Sequence, residues 1–248
     1  MSEWEEIFRG EIRKFVFGRA DPEKLSRYLI IALGVPSRAA ERKLDNRRQV
    51  GPAVVGEFRG ISVSVVHRSV GTLQLEQFMH LLSNSTTEYV IGLGAVGALQ
   101  PDIEIGDLII PTEAVRGEGL TKYYYPPDVP AKPDPDLTER LIQSSRQCRA
   151  SNVHMGTIFT TGSIMHETDE LIEEWQRKGY LGVDCEASAL FLLSRYCGFK
   201  CALIMYVTDN PYTKQIFSRS FRLMLRARRA ERKAVEVIFE TIAKIGNQ

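Results

Sequence analysis

The sequence predicts a single-domain α/β protein, and three observations carry that prediction. Its 248 residues, 44% hydrophobic and 25% charged, suit one large domain with a sizeable core. Short apolar strands alternate with amphipathic helices along nearly the whole chain, the pattern of a sheet covered on both faces. Glycines and charged residues collect just after those strands, where ligands of such sheets gather. No repeat, low-complexity tract or linker divides the chain, so 1–248 reads as one unit with an N-terminal helical arm over 1–27.

The arm is predicted from Met1–Gly18, where Trp4, Ile7, Phe8, Ile12 and Phe15 fall near helical spacing. Tyr28–Leu33 is a continuous apolar run and reads as a strand, followed by Gly34-Val-Pro-Ser-Arg38 and a polar helix. Strands near Ala53–Phe58 and Ile61–Val66 flank the turn Arg59-Gly60. A helix is expected over Thr72–Leu82, then a strand Tyr89–Leu93 that runs into Gly94-Ala-Val-Gly97. Asp107–Pro111 reads as a strand, and Tyr123–Pro135, which holds five prolines, as a long loop. Leu137–Gln147 is expected as a helix and Gly156–Phe159 as a strand. Thr168–Lys178 reads as a helix whose start is favoured by Asp169, Glu170 and Glu173, since negative charge suits that end of the dipole. Gly182–Glu186 leads into a helix Ala187–Cys197, Cys201–Thr208 is expected as the last strand, and a long basic helix spans Phe217–Ile245.

Composition excludes several classes. A net charge of +1 gives no global field for nucleic acid or an anionic membrane. The longest apolar runs, Leu29–Leu33 and Leu190–Leu193, are too short to cross a bilayer. The start Met1-Ser-Glu-Trp-Glu-Glu6 is acidic where a signal peptide is basic, so a cytoplasmic protein is expected. Cys148, Cys185, Cys197 and Cys201 form no CxxC and no paired zinc spacing, which predicts reduced, mostly buried thiols and no metal. His67, His80, His154 and His166 share no ligand spacing either. Arg219, Arg222, Arg226, Arg228, Arg229, Arg232 and Lys233 crowd the first half of the final helix. They surround it without interleaved aromatics, so a solvated helix with ion-pair partners is expected instead of a nucleic-acid surface.

Four post-strand clusters carry chemistry. Gly34-Val-Pro-Ser-Arg38 offers turn N–H groups and a guanidinium fork that suit an oxyanion, and equally describes a strand-to-helix turn with a surface arginine. Gly92-Leu-Gly-Ala-Val-Gly97 supplies glycines that permit positive φ and close approach of a ligand, without the spacing of a dinucleotide fingerprint. In Gly182-Val-Asp-Cys-Glu186, Asp184 and Glu186 point to one side of an extended segment. There they can accept vicinal sugar hydroxyls or decorate a helix N-terminus. Val207-Thr-Asp209-Asn-Pro211 ends an apolar strand in a carboxyl group that burial would turn into a general acid, or in an Asx-type turn.

In this order the clusters resemble the nucleoside phosphorylase family that includes bacterial-type purine nucleoside phosphorylase and uridine phosphorylase. The run Gly97-Ala-Leu-Gln-Pro-Asp-Ile-Glu-Ile-Gly-Asp-Leu-Ile-Ile-Pro-Thr-Glu-Ala-Val-Arg-Gly-Glu-Gly119 looks like a family signature. The resemblance implies a three-layer α/β/α sandwich around a mixed, partly barrelled sheet, and a homo-oligomer, a dimer or a hexamer of dimers. It implies that Glu186 binds the ribose 2′- and 3′-hydroxyls with Cys185 under the sugar, and that Val96, Gly97, Ile164 and Met165 line the base. Gly34 and Arg38 would bind phosphate with Arg48 lent by a neighbour, and Asp209, assisted by Arg222, would protonate N7 of a purine. The reaction implied is phosphorolysis to free base and ribose 1-phosphate, in nucleoside metabolism such as purine salvage, with inorganic phosphate as co-substrate and no cofactor. The Gln-x-Arg element with which the uridine branch reads uracil is absent between Thr160 and Gln176, which favours purines.

Departures from the family pattern keep three readings open. Gly92 stands where the family usually has arginine, Ala95 where it has serine or threonine, and Val35 where it has an acid. Met1–Gly34 contains no histidine to lend to a neighbour's sugar, and Arg68 is a candidate replacement in the phosphate site. Phosphorolysis, hydrolysis of the same bond by water, and a non-catalytic nucleoside binder each fit these residues.

Overall fold

All six residues of β1 (Tyr28–Leu33) are buried, and their side chains alternate between two separate cores. Leu29, Ile31 and Leu33 enter one, while Tyr28, Ile30 and Ala32 enter the other. The period-2 pleat makes a run that is apolar on both faces stable only between two covering layers. The computed structural model describes residues 3–36, 38–83 and 85–247, apart from the side chains at positions 3, 5, 67, 68 and 69.

The remaining elements are α1 (Glu3–Phe17), α2 (Arg38–Glu41), β2 (Asp45–Val50), β3 (Ala53–Phe58), β4 (Ile61–Ser69), α3 (Thr72–Leu82), β5 (Tyr89–Ala98) and β6 (Leu108–Gly117). They continue as α4 (Pro135–Gln147), β7 (Val153–Thr161), α5 (Asp169–Arg177), β8 (Gly182–Asp184), α6 (Ala187–Cys197), β9 (Lys200–Asn210), β10 (Gln215–Ile216) and α7 (Phe221–Gly246). The sheet order is β10-β9-β6-β7-β8-β5-β1-β4-β3-β2, and β5 also pairs with β9. That extra pairing closes β9, β6, β7, β8 and β5 into a five-stranded barrel, from which β1, β4, β3 and β2 continue as an open sheet. Helices α1, α3 and α6 pack with the first core, and α2, α4 and α7 with the second. The three-layer, partly barrelled α/β sandwich expected from the resemblance is the fold observed. Among the described residues no helix is long and apolar enough to cross a membrane.

Several elements differ from expectation. The polar helix after Gly34 is only the four residues of α2, and Asp45–Val50 is a strand, five of whose six residues are exposed. Its pairing with β3, not any periodicity, defines it. β6 does not stop at Pro111: its register with β7 shifts between Pro111 and Glu113, so the proline sits where the ladder is already interrupted. β7 is correspondingly longer, β10 follows β9, and a short 3-10 turn over Phe217–Arg219 precedes α7.

The Gly92–Gly97 reading is also corrected. None of Gly92, Gly94 and Gly97 has a positive φ; all three lie inside β5 and serve close packing. A Cβ on Gly92 would lie 2.6 Å from Leu203 Cδ1 and 2.8 Å from Leu190 Cδ2. Gly34, by contrast, does take a left-handed conformation, with φ of 64°.

Candidate functional site

The carboxyl ends of β1, β6, β7, β8 and β9 converge on a cavity of about 710 Å³. Its position follows from the topology, since ligands of open α/β sheets sit beyond strand ends where connections diverge. β5 crosses the floor with Ala95, Val96 and Gly97, and Gly34 leaves β1 at one wall. The segment between β7 and α5 forms the mouth, where Ile164 and Met165 are 63% and 96% exposed. Apolar side chains left this open to water suit a flat, partly apolar ligand.

Asp184 and Glu186 divide the work that the sequence left undecided between them. Asp184 is buried at the end of β8 and accepts from the N–H groups of Glu186 (3.0 Å) and Ala187 (2.7 Å) and from the Thr160 hydroxyl (2.8 Å). It therefore caps α6, and burial raises its carboxyl to about 6 despite those donors. Glu186 Oε1 accepts from the Gly71 N–H at 2.8 Å, at the positive-φ turn that starts α3. Burial first, and the neighbouring Asp184 charge second, push Glu186 up to about 7. Cys185 between them is half-buried, and burial lifts its thiol to about 12, so it stays protonated.

Asp209 lines the same cavity from the end of β9, and the Thr208 hydroxyl donates to its Oδ1 at 2.8 Å. Burial raises its carboxyl above the usual range, with Thr208 working in the opposite direction. The next residue, Asn210, fixes the strand end by donating to Gln100 O (2.9 Å) and Ile103 O (3.1 Å). The signature-like run thus includes a brace for the β9 terminus.

Glu167, which the sequence reading passed over, also lines the cavity. Burial first and the Asp209 charge second raise it to about 7. It lies just after the apolar pair Ile164-Met165, and a carboxylate following such a pair was the available signal. The fifth acid, Glu118, is committed elsewhere: it accepts from the backbone of Leu120 and Thr121 and from the Thr121 and Ser188 hydroxyls.

Of the expected site residues, Gly34, Val96, Gly97, Ile164, Met165, Cys185, Glu186 and Asp209 share this cavity. Arg38, Arg48 and Arg222 do not line it. Arg38 begins α2 and is exposed, Arg48 donates to Lys24 O at 3.4 Å, and Arg222 is exposed in the first turn of α7. The side chain of Arg68 lies outside the described residues. Among the described residues, then, five carboxyl groups and no arginine, lysine or histidine line the cavity. Nor do the described residues contain a group of three or more His, Cys, Asp or Glu that would hold a metal ion.

Comparison with known proteins gives the same region of the chain a context. The phosphorylase superfamily profile matches residues 23–243. A guanosine phosphorylase of Halorubrum lacusprofundi is 24% identical over 204 residues, covering 82% of this chain and 81% of its own. A uridine phosphorylase of Thermococcus kodakarensis is 25% identical over 219 residues, covering 83% and 76%. The crystal structure of a uridine phosphorylase from Vibrio fischeri superposes with a TM-score of 0.83 at 26% identity, over 91% of this chain and 95% of that one.

Proposed function

The chain belongs to the phosphorylase superfamily, and on that premise we propose that it is a nucleoside phosphorylase acting on purine nucleosides. Phosphate attacks C1′ of the sugar, the bond from C1′ to the base breaks, and the products are ribose 1-phosphate and free base. The observation that carries this reading is that Glu186 and Asp209 line one cavity from two different strand ends.

Each residue then has a physical task. Glu186, ionised, accepts the two vicinal ribose hydroxyls, and its negative charge favours a sugar that turns cationic as the bond breaks. Asp209, whose hold on a proton burial strengthens, delivers that proton to N7 as the bond breaks, so the base leaves neutral; such general acids contribute roughly 10²–10⁴-fold. Ile164 and Met165 cover the base at the mouth, and Gly97 leaves room beside Asp209 on the floor. Phosphate sits between Gly34 at the wall and Ala95 on the floor. Support for purines is the placement of an acid at Asp209 and the name of the guanosine phosphorylase relative. Inorganic phosphate is the co-substrate, no cofactor takes part, the working form is a homo-oligomer, and the setting is the cytoplasm.

A second reading, hydrolysis by water, is favoured by one observation: no described basic side chain lines the cavity to hold phosphate. Chromatography of the products from guanosine, inosine, adenosine and uridine, with and without phosphate, decides between them. Base release that needs phosphate and yields ribose 1-phosphate supports phosphorolysis. Phosphate-independent release of ribose establishes hydrolysis, and no release from any nucleoside rejects both.

A further inference from the structure

The arginine-rich start of α7 is not absorbed by the nucleoside cavity. Arg226, Arg229 and Lys233 recur at helical spacing and face a second cavity of about 230 Å³, together with Arg149 from the turn after α4. Four cationic side chains thus meet in one recess on a chain whose net charge is only +1. Two of them already have acceptors. Arg226 donates to Glu104 Oε2 at 2.7 Å, and Lys233 donates to Glu236 Oε2 at 2.8 Å and Cys148 O at 2.9 Å. The guanidinium groups of Arg149 and Arg229 have no acceptor among the described residues.

The recess is built, not merely decorated. Arg149 and Asn152, at the two ends of the turn that lines it, take left-handed conformations with φ of 51° and 54°, and so does Gly106 opposite, at 95°. A Cβ on Gly106 would lie 3.0 Å from Arg226 Cβ, so its absence lets the turn before β6 press against α7. The one carboxylate in the lining, Asp107, is turned inward. It accepts from the Glu104 N–H (3.0 Å), Asn152 Nδ2 (3.0 Å) and His154 Nε2 (3.1 Å). Its charge is consumed in holding the turn, while the arginines are left with donors to spare.

We infer that this cavity binds a phosphate group, either free phosphate or the terminus of a small phosphorylated molecule. Guanidinium forks match phosphate oxygens in pairs, and a tetrahedral dianion satisfies donors arriving from several directions, which a planar carboxylate does not. None of its lining residues is shared with the nucleoside cavity. The two are linked through backbone: Gly106 N donates to Val207 O (3.0 Å) and Val207 N to Asp107 O (2.9 Å), two residues before Asp209.

Titration calorimetry tests this on the full chain, with inorganic phosphate, pyrophosphate and ribose 5-phosphate as probes. The wild type is compared with the double variant Arg149→Ala/Arg229→Ala and with Arg149→Lys/Arg229→Lys. The expected result is a binding component that weakens by about a hundredfold in the alanine variant and partly returns in the lysine variant, at unchanged melting temperature. The KM for phosphate in nucleoside cleavage, which reports the other cavity, stays unchanged. Equal affinity for all three probes assigns free phosphate, and tighter binding of ribose 5-phosphate assigns a phosphorylated small molecule. Superimposable titrations of wild type and alanine variant overturn the proposal. So does salt-dependent binding of DNA or RNA that is lost in the alanine variant while no small anion binds.

Discussion

Gly97 and Asp209 face each other in the β5–β9 ladder, and a Cβ on residue 97 would lie 2.9 Å from Asp209 Oδ2. The acid therefore occupies space that the floor strand leaves by carrying no side chain there. Its position is a property of two strands together.

Gly97→Ala is expected to displace the acid without dismantling the fold. The added methyl also meets Val183 Cγ1 at 3.3 Å, so overpacking of about 1–3 kcal/mol follows. Because small misplacements of reacting groups are costly, kcat should fall roughly tenfold to a hundredfold. Product chromatography beside a melting curve checks both; unchanged kcat would mean that the carboxyl group does not depend on this contact.

Asp209→Asn should retain nucleoside binding and lower kcat by at least about a hundredfold, as loss of a general acid does. In the wild type the acid is active while protonated, and burial raises its pKa, so kcat should decline as pH rises through that raised value. The Asp209 charge contributes to holding Glu167 at about 7. Carboxyl-carbon NMR of Glu167 should therefore show a lower midpoint in the variant.

Glu186→Gln is expected to trade binding for stability. Folding raises this carboxyl from 4.5 to about 7, so the folded chain holds the proton more tightly than the unfolded one. The resulting stabilisation is complete below about 4.5 and is lost as pH climbs through about 7. The amide oxygen can still accept from Gly71, so the variant should match the wild type near the acid end. At pH above the folded value it should be more stable by ~3 kcal/mol, since a tenfold difference in acidity between the two states is worth about 1.4 kcal/mol. Its KM for nucleoside should rise. Denaturant melts at both ends of the pH range, with kinetics at neutral pH, test the pair of effects.

Gly92→Arg will not install the phosphate-holding arginine that the family resemblance leads one to expect there. The Leu203 and Leu190 side chains already fill the space within 2.8 Å of the new Cβ. The expected outcome is destabilisation of at least about 1–3 kcal/mol and no fall in the KM for phosphate. A functional, tighter phosphate site in this variant would show that the two leucines yield.

Much of the fold was legible because it is written in local pattern. The apolar runs of β1 and β9, the turn Arg59-Gly60 between β3 and β4, and the faces of α3 and α6 all announced themselves. β2 did not, because Asp45–Val50 is polar and largely exposed, and only its long-range pairing with β3 makes it a strand. Pro111 hid the second half of β6 because a proline is compatible with a strand only at an interruption, and the interruption is set by β7. In the cavity, Glu186 and Asp209, two of the residues that follow apolar strands, stand on one lining. Glu167 was passed over, since it caps a short 3-10 turn in the irregular segment between β7 and α5, where no periodicity marks the direction of a side chain. Arg38 and Arg222, whose roles the resemblance implies, lie outside that lining, and a resemblance in sequence does not say which way a side chain at the start of a helix turns.

β5 is hydrogen-bonded to β1, β8 and β9 at once, which joins the barrel to the open sheet through a single shared strand. Among the described residues the barrel and the open sheet therefore form one continuous sheet, not two lobes joined by a connecting segment. Under the proposed function, entry to the cavity then depends on the surface segment over 162–167 at its mouth, and loop motions belong to the nanosecond-to-microsecond range. A doorway of that kind opens far faster than a whole-body hinge, which under the proposed function leaves the chemical step to pace turnover.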